Sequence, residues 1–222
     1  MSVIRLRRAA ACREPGADSW ALGQTLCPAL LSPPLALRAC AEAVLVPRVS
    51  INFIRVGTEL FTHGDDFEIA AAHVLANRLL EPARVRIDIA AELGIPLAEA
   101  GDFPWIESAE HARELRDTFG LGSEAIDVFW VKTWAGPTIG RGPIFGRCPD
   151  HELGASGCVI ALEAVIDGTA QVLAHEIGHY LGLLHDDSSS NLMYESVPNG
   201  GRLTPEQGAS LRRHCTVEWT CA

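Results

Sequence analysis

The chain has 222 residues, a formal net charge of −10 and 48% hydrophobic residues, which is enough for one globular domain with a full core and argues against disorder. The acidic balance excludes a nucleic-acid-binding role based on phosphate neutralisation, because that role requires a surplus of cationic side chains. No stretch reaches the roughly 18 consecutive apolar residues that a membrane span needs.

Residues 1–42 show no regular hydrophobic period and are interrupted by proline, glycine and cysteine. We therefore predict that they form an irregular N-terminal extension or pro-segment, and that residues 43–222 form the folded domain. Arg5, Arg7 and Arg8 precede an apolar run that is too short for a signal peptide, so no export signal is predicted. The seven cysteines are compatible with a secreted or extracytoplasmic location, and the localisation stays open.

A strand, a helix and a second strand open the predicted domain. Residues 49–53 alternate between apolar and polar side chains, which is the period of a half-buried strand. Asp65 is the predicted cap of a helix whose apolar residues recur at helical spacing and which ends before Pro82. Residues 85–89 alternate again, so the unit predicts a parallel pair of strands joined by a helix.

Shorter elements and a long loop follow. Residues 107–118 predict a short polar helix, and residues 126–131 predict an interior strand covered on both faces. Residues 135–157 are rich in glycine and proline and predict a long loop with room for a short edge strand. Loops of this length in a compact domain are often functional. Residues 158–162 predict a further apolar strand.

Two helices complete the predicted domain. The first begins at Asp167 or Thr169. The second begins after Thr204, because Pro205 occupies the first helical position and Gln207 completes a capping box.

The first of these helices carries the sequence HEIGHYLGLLH at residues 175–185. His175 and His179 are four residues apart, so on a helix both imidazoles lie on one face and can reach one metal ion. Gly182 can adopt a left-handed conformation that ends the helix and turns the chain, which lets His185 approach the same ion. Three imidazoles leave one zinc position open for water, which is typical of a catalytic rather than a structural site.

Glu176 follows the first of these histidines directly, so its carboxylate is expected beside the metal and not bound to it. This position suits a general base that accepts a proton from the attacking water and delivers it to the departing amine. The glycine and the third histidine make the motif far more specific than HExxH alone, so histidines with no metal are the weaker interpretation.

HExxHxxGxxH at residues 175–185 resembles the zinc motif of the metzincin metallopeptidases. Metzincins also have a methionine turn beneath the metal, and the sequence Asn-Leu-Met-Tyr around Met193 looks like that turn. The interval from His185 to Met193 is similar to that of matrixins. Asp186 is instead similar to the reprolysin group, because matrixins usually carry a serine there.

The resemblance implies an α+β metzincin fold, in which a twisted, mixed and mostly parallel sheet packs on an active-site helix and a C-terminal helix follows the methionine turn. It implies that residues 43–222 are the catalytic domain of an endopeptidase with Zn²⁺ as its cofactor. Glu176 would be the catalytic residue, the three histidines the zinc ligands, and Gly182 and Met193 the structural support. The implied partner is a protein or peptide substrate that lies extended along the upper edge strand, and a monomer is favoured.

Two alternatives to an endopeptidase remain at this stage. A non-catalytic protein, in which zinc stabilises a binding module, would gain nothing from a carboxylate at position 176. An exopeptidase would need a charged group that recognises a chain terminus, and the sequence does not place one. The cysteines leave alternatives too, because Cys148 with Cys158 and Cys215 with Cys221 are close enough to form small disulfide loops, whereas buried or idle thiols are equally compatible.

Overall fold

The computed structural model describes residues 45–136, 140–142, 157–162, 166–196 and 200–221. The predicted extension, residues 1–42, lies outside these ranges, and its separation from the folded domain stays a prediction. The strands are β1 (Leu45–Val56), β2 (Arg86–Ile95), β3 (Trp105–Ile106), β4 (Ile126–Val131), β5 (Thr133–Trp134), β6 (Gly140–Arg141), β7 (Cys158–Ala161) and β8 (Val217–Cys221). The α-helices are α1 (His63–Leu80), α2 (Leu97–Ala100), α3 (Ala109–Phe119), α4 (Ile166–Tyr180) and α5 (Pro205–Arg212).

One mixed sheet organises the domain. Its strands follow the order β2-β1-β4-β7-β6, and β8 pairs with the beginning of β1. The pairs among β2, β1, β4 and β7 are parallel, whereas β6 and β8 are antiparallel to their neighbours. β3 and β5 form a separate parallel pair. The predicted mostly parallel, mixed sheet is therefore confirmed.

Helices cover both faces of this sheet. On one face α1 and α4 pack on the sheet and on each other, and Ile51 and Leu173 are among the fully buried residues of this core. On the other face α3 packs on the sheet, and Ile54 and Leu115 belong to a second core. Strand β4 is buried along its whole length because it runs between the two cores. The described part of the chain contains no helix whose length and apolarity would allow it to cross a bilayer.

The first helix begins earlier than the sequence indicates. Thr62 is its N-cap: the Thr62 side chain accepts a hydrogen bond from the N–H of Asp65, and the Asp65 carboxylate accepts one from the N–H of Thr62. Asp65 is therefore the third helical residue of a capping box and not the cap itself, so that prediction is wrong.

The second strand is less buried than its alternating pattern indicates. Ile87 is fully buried, whereas Ile89 is 36% exposed. Strand β2 lies at the edge of the sheet, and its register with β1 shifts after Ile89. A register shift of this kind turns the following side chains to the opposite face, so the core contacts of the strand are interrupted at this point.

Two of the cysteines have defined states. Cys158 is a free, fully buried thiol in β7, so the suggested disulfide between Cys148 and Cys158 is wrong, and Cys148 itself lies outside the described residues. Burial raises the pKa of the Cys158 thiol, as expected for a structural rather than a reactive cysteine. Cys215 is disulfide-bonded.

Candidate metal centre

Helix α4 carries the first two histidines of the motif deep into the molecule. From Thr169 to Tyr180 all of its residues except Gln171 are buried, because the sheet, α1 and the segment after α4 surround it. His175 and His179 are each 5% exposed. The predicted helical context of the motif is confirmed.

Gly182 ends this helix in the way that the sequence indicates. Its φ is +89°, in the left-handed region that glycine adopts without strain. The N–H of Leu183 donates to the carbonyl of Gly178, and the N–H of Gly182 donates to that of His179, both at 2.9 Å. These two bonds form a Schellman motif, which closes the helix and reverses the chain. The reversal brings His185 back towards α4.

The three histidines converge on one point. Their potential ligand nitrogens all lie within 4.8 Å of one another. The ring centroids are 4.5 Å apart for His175 and His179, 4.7 Å for His179 and His185, and 5.4 Å for His175 and His185. Zinc–imidazole bonds are about 2.0–2.1 Å long, so small side-chain rotations would bring all three nitrogens to one ion. The residues present fit a metal of this class.

Two backbone carbonyls orient the buried imidazoles. Nδ1 of His175 lies 2.8 Å from the carbonyl oxygen of Leu192, and Nδ1 of His179 lies 2.8 Å from that of Leu183. A carbonyl oxygen only accepts, so each Nδ1 carries the proton and each Nε2 lone pair is left for a metal. The motif spacing did not identify these carbonyls, because a backbone acceptor leaves no mark in the sequence.

Burial also keeps these imidazoles neutral. It lowers the pKa of His179 to about 4 and lowers the pKa of His175, although the carbonyl partner of each ring acts in the opposite direction. Neutral imidazole is the form that binds a metal. Both rings are therefore ready to act as ligands at neutral pH without first losing a proton.

Glu176 directly follows His175 on α4 and is 6% exposed. Burial raises the pKa of its carboxyl to about 7, and the backbone N–H of Gly142 and the charges of Arg141 and Arg116 oppose this effect. Among the described residues, Oε2 has no partner that meets hydrogen-bond geometry. Hydrogen bonds from the described residues therefore do not fully offset the burial that raises the pKa of this carboxyl.

The edge strand β6 reaches this carboxylate because it has glycines on either side of Arg141. A Cβ on Gly140 would lie 2.3 Å from Cγ1 of Val172, and a Cβ on Gly142 would lie 2.9 Å from Oε2 of Glu176. A side chain at Gly140 would therefore push the strand away from α4, and one at Gly142 would displace either the strand or the Glu176 carboxylate. Sequence reasoning allowed an edge strand here but missed these glycines, and their signal was the Gly-Arg-Gly sequence within the long loop.

Met193 lies fully buried beneath α4. A Cβ on Gly178 would be 2.6 Å from its Sδ, so the helix and the methionine meet where the helix has no side chain. The carbonyl of Met193 accepts a hydrogen bond from the N–H of Asp186 at 2.9 Å, directly after the third histidine. The turn therefore supports both the helix and the segment that carries His185.

Asn191 connects this turn to helix α5. Its Oδ1 accepts the N–H of Met193 at 2.8 Å, and its Nδ2 donates to Oε1 of Gln207 at 2.9 Å. Oε1 of Gln207 also accepts the N–H of Thr204, which confirms the predicted capping box. The cap of α5 and the turn under the histidines thus share one hydrogen-bond network, which the local pattern of the capping box did not indicate.

Comparison with known proteins gives one family and a set of similar folds. The chain matches the matrixin family model (peptidase M10) over residues 48–207. The fold is similar to metalloproteinase-II from Bacteroides fragilis, with a TM-score of 0.51 and 15% identity over 75% of this chain and 52% of that chain. It is also similar to a chain from a chaperone–substrate complex, with a TM-score of 0.50 and 11% identity over 75% of this chain and 33% of that chain.

These structural relatives are similar in fold alone, because their sequence identity to this chain is low. The chain spans about half the length of the first and about a third of the second. No curated protein sequence matches it.

Proposed function

The chain belongs to the matrixin family of metallopeptidases, and from this premise we propose that it is a zinc-dependent endopeptidase that hydrolyses internal bonds of proteins or peptides. The observation that carries the proposal is the convergence of three imidazoles, with a buried carboxylate that directly follows the first of them and is not one of the converging groups. A purely structural zinc site would have no use for that carboxylate.

The proposed metal ligands are His175, His179 and His185, through the nitrogens that the carbonyl partners leave free. An all-imidazole set of three is a known donor set for catalytic zinc. When bound, zinc would lower the pKa of a water molecule and polarise the carbonyl of the scissile bond.

Glu176 is the proposed general base. It accepts a proton from the water that attacks the carbonyl carbon, and it delivers this proton to the nitrogen of the departing amine. Its position supports this role, because the carboxylate is buried on α4 directly after His175 and lies against Gly140 and Gly142 of the edge strand. Proximity of this kind turns proton transfer into a step within one complex.

Strand β6 is the proposed binding site for the substrate backbone. It is the last strand of the sheet on this side, so its outer edge has no strand partner among the described residues. An extended peptide can add to such an edge through main-chain hydrogen bonds. The close approach of Gly140 and Gly142 to α4 would place that peptide next to Glu176.

Replacing Glu176 by alanine tests the assignment of the base. We expect kcat to fall by about 10²–10⁴-fold, the usual contribution of a general base, while the zinc content stays at that of the wild type. The measurements are cleavage of a peptide library, followed by mass spectrometry, and metal analysis of the same preparations. Glu114→Ala, which changes an exposed carboxylate on α3, is the matched control and should leave both unchanged.

Three outcomes would count against the proposal. Chelator-sensitive turnover of the Glu176→Ala variant near the wild-type rate would remove the assigned base. Products trimmed only from chain ends would favour an exopeptidase over an endopeptidase. Wild-type protein that binds zinc and leaves every peptide intact would favour a non-catalytic, zinc-stabilised binding protein.

A further inference from the structure

An open pocket of about 1020 Å³ lies outside the histidine site. The end of α1, the turn after it, the start of β2 and the region of α5 form its walls, and none of its lining residues belongs to the metal cluster. Its volume is at the upper end of the range of ligand pockets, which is about 300–1,000 Å³. The pocket is therefore large enough for a short stretch of polypeptide.

Four arginines line this pocket, which we call the arginine pocket: Arg78, Arg84, Arg86 and Arg212. Glu81 is the single acidic residue among its lining residues. This concentration of positive charge contrasts with the formal net charge of −10 of the chain. A concave surface of one sign attracts ligands of the opposite sign, so the pocket favours an anionic partner.

At least two of these cations are available to a partner. Arg78 and Arg84 are exposed, and within the described ranges their guanidinium groups have no hydrogen-bond or ion-pair partner. Arg86 pairs at 3.2 Å with Asp88, with its side chain 61% exposed. Arg212 donates to the carbonyl of Ala83 and so fixes one wall.

Part of the lining of the pocket is apolar. It includes Val74, which is 53% exposed, together with Pro47, Val85 and Leu203. Apolar surface between cations suits a polypeptide that carries both carboxylates and aliphatic side chains, because burial of the aliphatic groups adds to the charge pairing. A sulfated glycan offers no comparable apolar groups, so the apolar part of the lining favours a polypeptide.

The walls are held in place before any partner binds. The Asn77 side chain bonds both backbone groups of Ile87, accepting from its N–H at 2.8 Å and donating to its carbonyl at 3.1 Å. Arg84 has a φ of +53°, the one positive value among the described residues other than glycine. The backbone of Arg84 therefore has a conformation in which glycine would be less strained. A preorganised site loses less entropy on binding.

We propose that the arginine pocket is a docking site for an acidic segment of a partner polypeptide, whose carboxylates pair with Arg78 and Arg84 while an aliphatic side chain packs on Val74. Guanidinium groups pair with carboxylates through two parallel hydrogen bonds, so the contact is directional in addition to being an ion pair. The proposal concerns binding alone and does not depend on the proposed peptidase activity.

The test is a binding measurement on the full-length, zinc-loaded chain. The probe is a fluorescein-labelled octapeptide of glutamates with two leucines, followed by fluorescence anisotropy, with mass spectrometry to verify that the peptide stays intact. We expect saturable binding that weakens as salt rises. The double variant Arg78→Ala, Arg84→Gly should bind about tenfold or more weakly. Glycine suits the positive φ at position 84, so this variant should remain folded.

An exposed arginine outside the pocket provides the matched control. Arg113→Ala removes an exposed arginine on α3, far along the sequence from the pocket, and should bind the peptide as the wild type does. Absence of saturable binding, equal affinity of the double variant, or equal binding of a lysine–leucine octapeptide would overturn the proposal. Tighter binding of a heparin-type tetrasaccharide through the same two arginines would overturn the choice of a polypeptide partner.

Discussion

The imidazole rings of His175 and His179 are held by hydrogen bonds to the carbonyls of Leu192 and Leu183. Each carbonyl lies in the segment after α4, so the fold of that segment decides which ring nitrogen is free to bind the proposed metal. The spacing of the motif predicted that the rings of His175 and His179 lie together, because residues four apart on a helix share a face. It did not predict the orienting carbonyls, which depend on how a loop packs.

The geometry of the third histidine depends on Gly182, whose left-handed conformation ends α4. We expect Gly182→Ala to lower the free energy of unfolding by about 1 kcal/mol, because a side chain at φ +89° is strained. We also expect weaker zinc binding, since a relaxed helix end would carry His185 away from the other rings. Urea unfolding and competitive zinc titration measure the two effects.

Gly64→Ala is the matched control for this change. Gly64 lies in the first turn of α1, where a Cβ would make only an ordinary contact of 3.4 Å with Oγ1 of Thr62. Alanine favours a helix over glycine, so this variant should be as stable as the wild type or more stable. Equal zinc affinity of Gly182→Ala and the wild type would show that the helix end does not position His185.

At the level of elements, α4 and the turn that contains Met193 meet at a contact between Gly178 and Met193. We expect Gly178→Ala alone to destabilise the protein by about 1 kcal/mol, because overpacking costs about 1–3 kcal/mol and exceeds the gain of alanine in a helix. In a Met193→Ala background the same change should stabilise the protein, because the Sδ that lies 2.6 Å from the added Cβ is gone.

Urea unfolding of the wild type, both single variants and the double variant measures the coupling between positions 178 and 193 as a double-mutant cycle. Met193→Ala by itself should cost about 2–5 kcal/mol, as expected for truncation of a fully buried methionine. If Gly178→Ala has the same sign in both backgrounds, the helix and the turn are not coupled through this contact.

The elements differ in how far the sequence could predict them. Strand β4 and helix α4 were predictable because their burial follows from local patterns of apolar residues. Strand β8 was not predicted, since it pairs with the start of β1 and so joins the two ends of the described domain. Local patterns do not encode such a long-range contact. The same limit applies to β6, whose glycines matter only because α4 lies against them.

The cap of α1 shows a different limit. Thr62 and Asp65 are both residues that cap helices, and the sequence alone does not decide which of them is outside the helix. The structure contains the reciprocal pair of hydrogen bonds, in which both residues take part. Boundaries of this kind shift by a few residues even when the helix itself is predicted correctly.

On the scale of the whole molecule, the three proposed ligands would add a link between α4 and the segment after it, which hydrogen bonds and the packing of Met193 already join. His175 and His179 belong to α4, whereas His185 belongs to the segment that continues into the turn with Met193 and on to the cap of α5. A metal that binds all three rings would therefore brace the helix against the entire C-terminal part of the domain. Such a ligand stabilises only the folded state, because the unfolded chain does not bring the rings together.

Zinc should accordingly raise the melting temperature of the protein. At free zinc about 100-fold above its dissociation constant, the stabilisation is about 2.7 kcal/mol, which for a domain of this size corresponds to roughly 5–10 °C. Calorimetry of chelator-treated protein against a series of buffered zinc concentrations measures the shift. His185→Ala removes one exposed ligand without opening a cavity in the core, so this variant should remain folded and lose most of the zinc-dependent rise. The assignment would be wrong if zinc left the melting temperature of the wild type unchanged, or raised that of the variant equally. Either result would mean that the three rings do not jointly bind the metal.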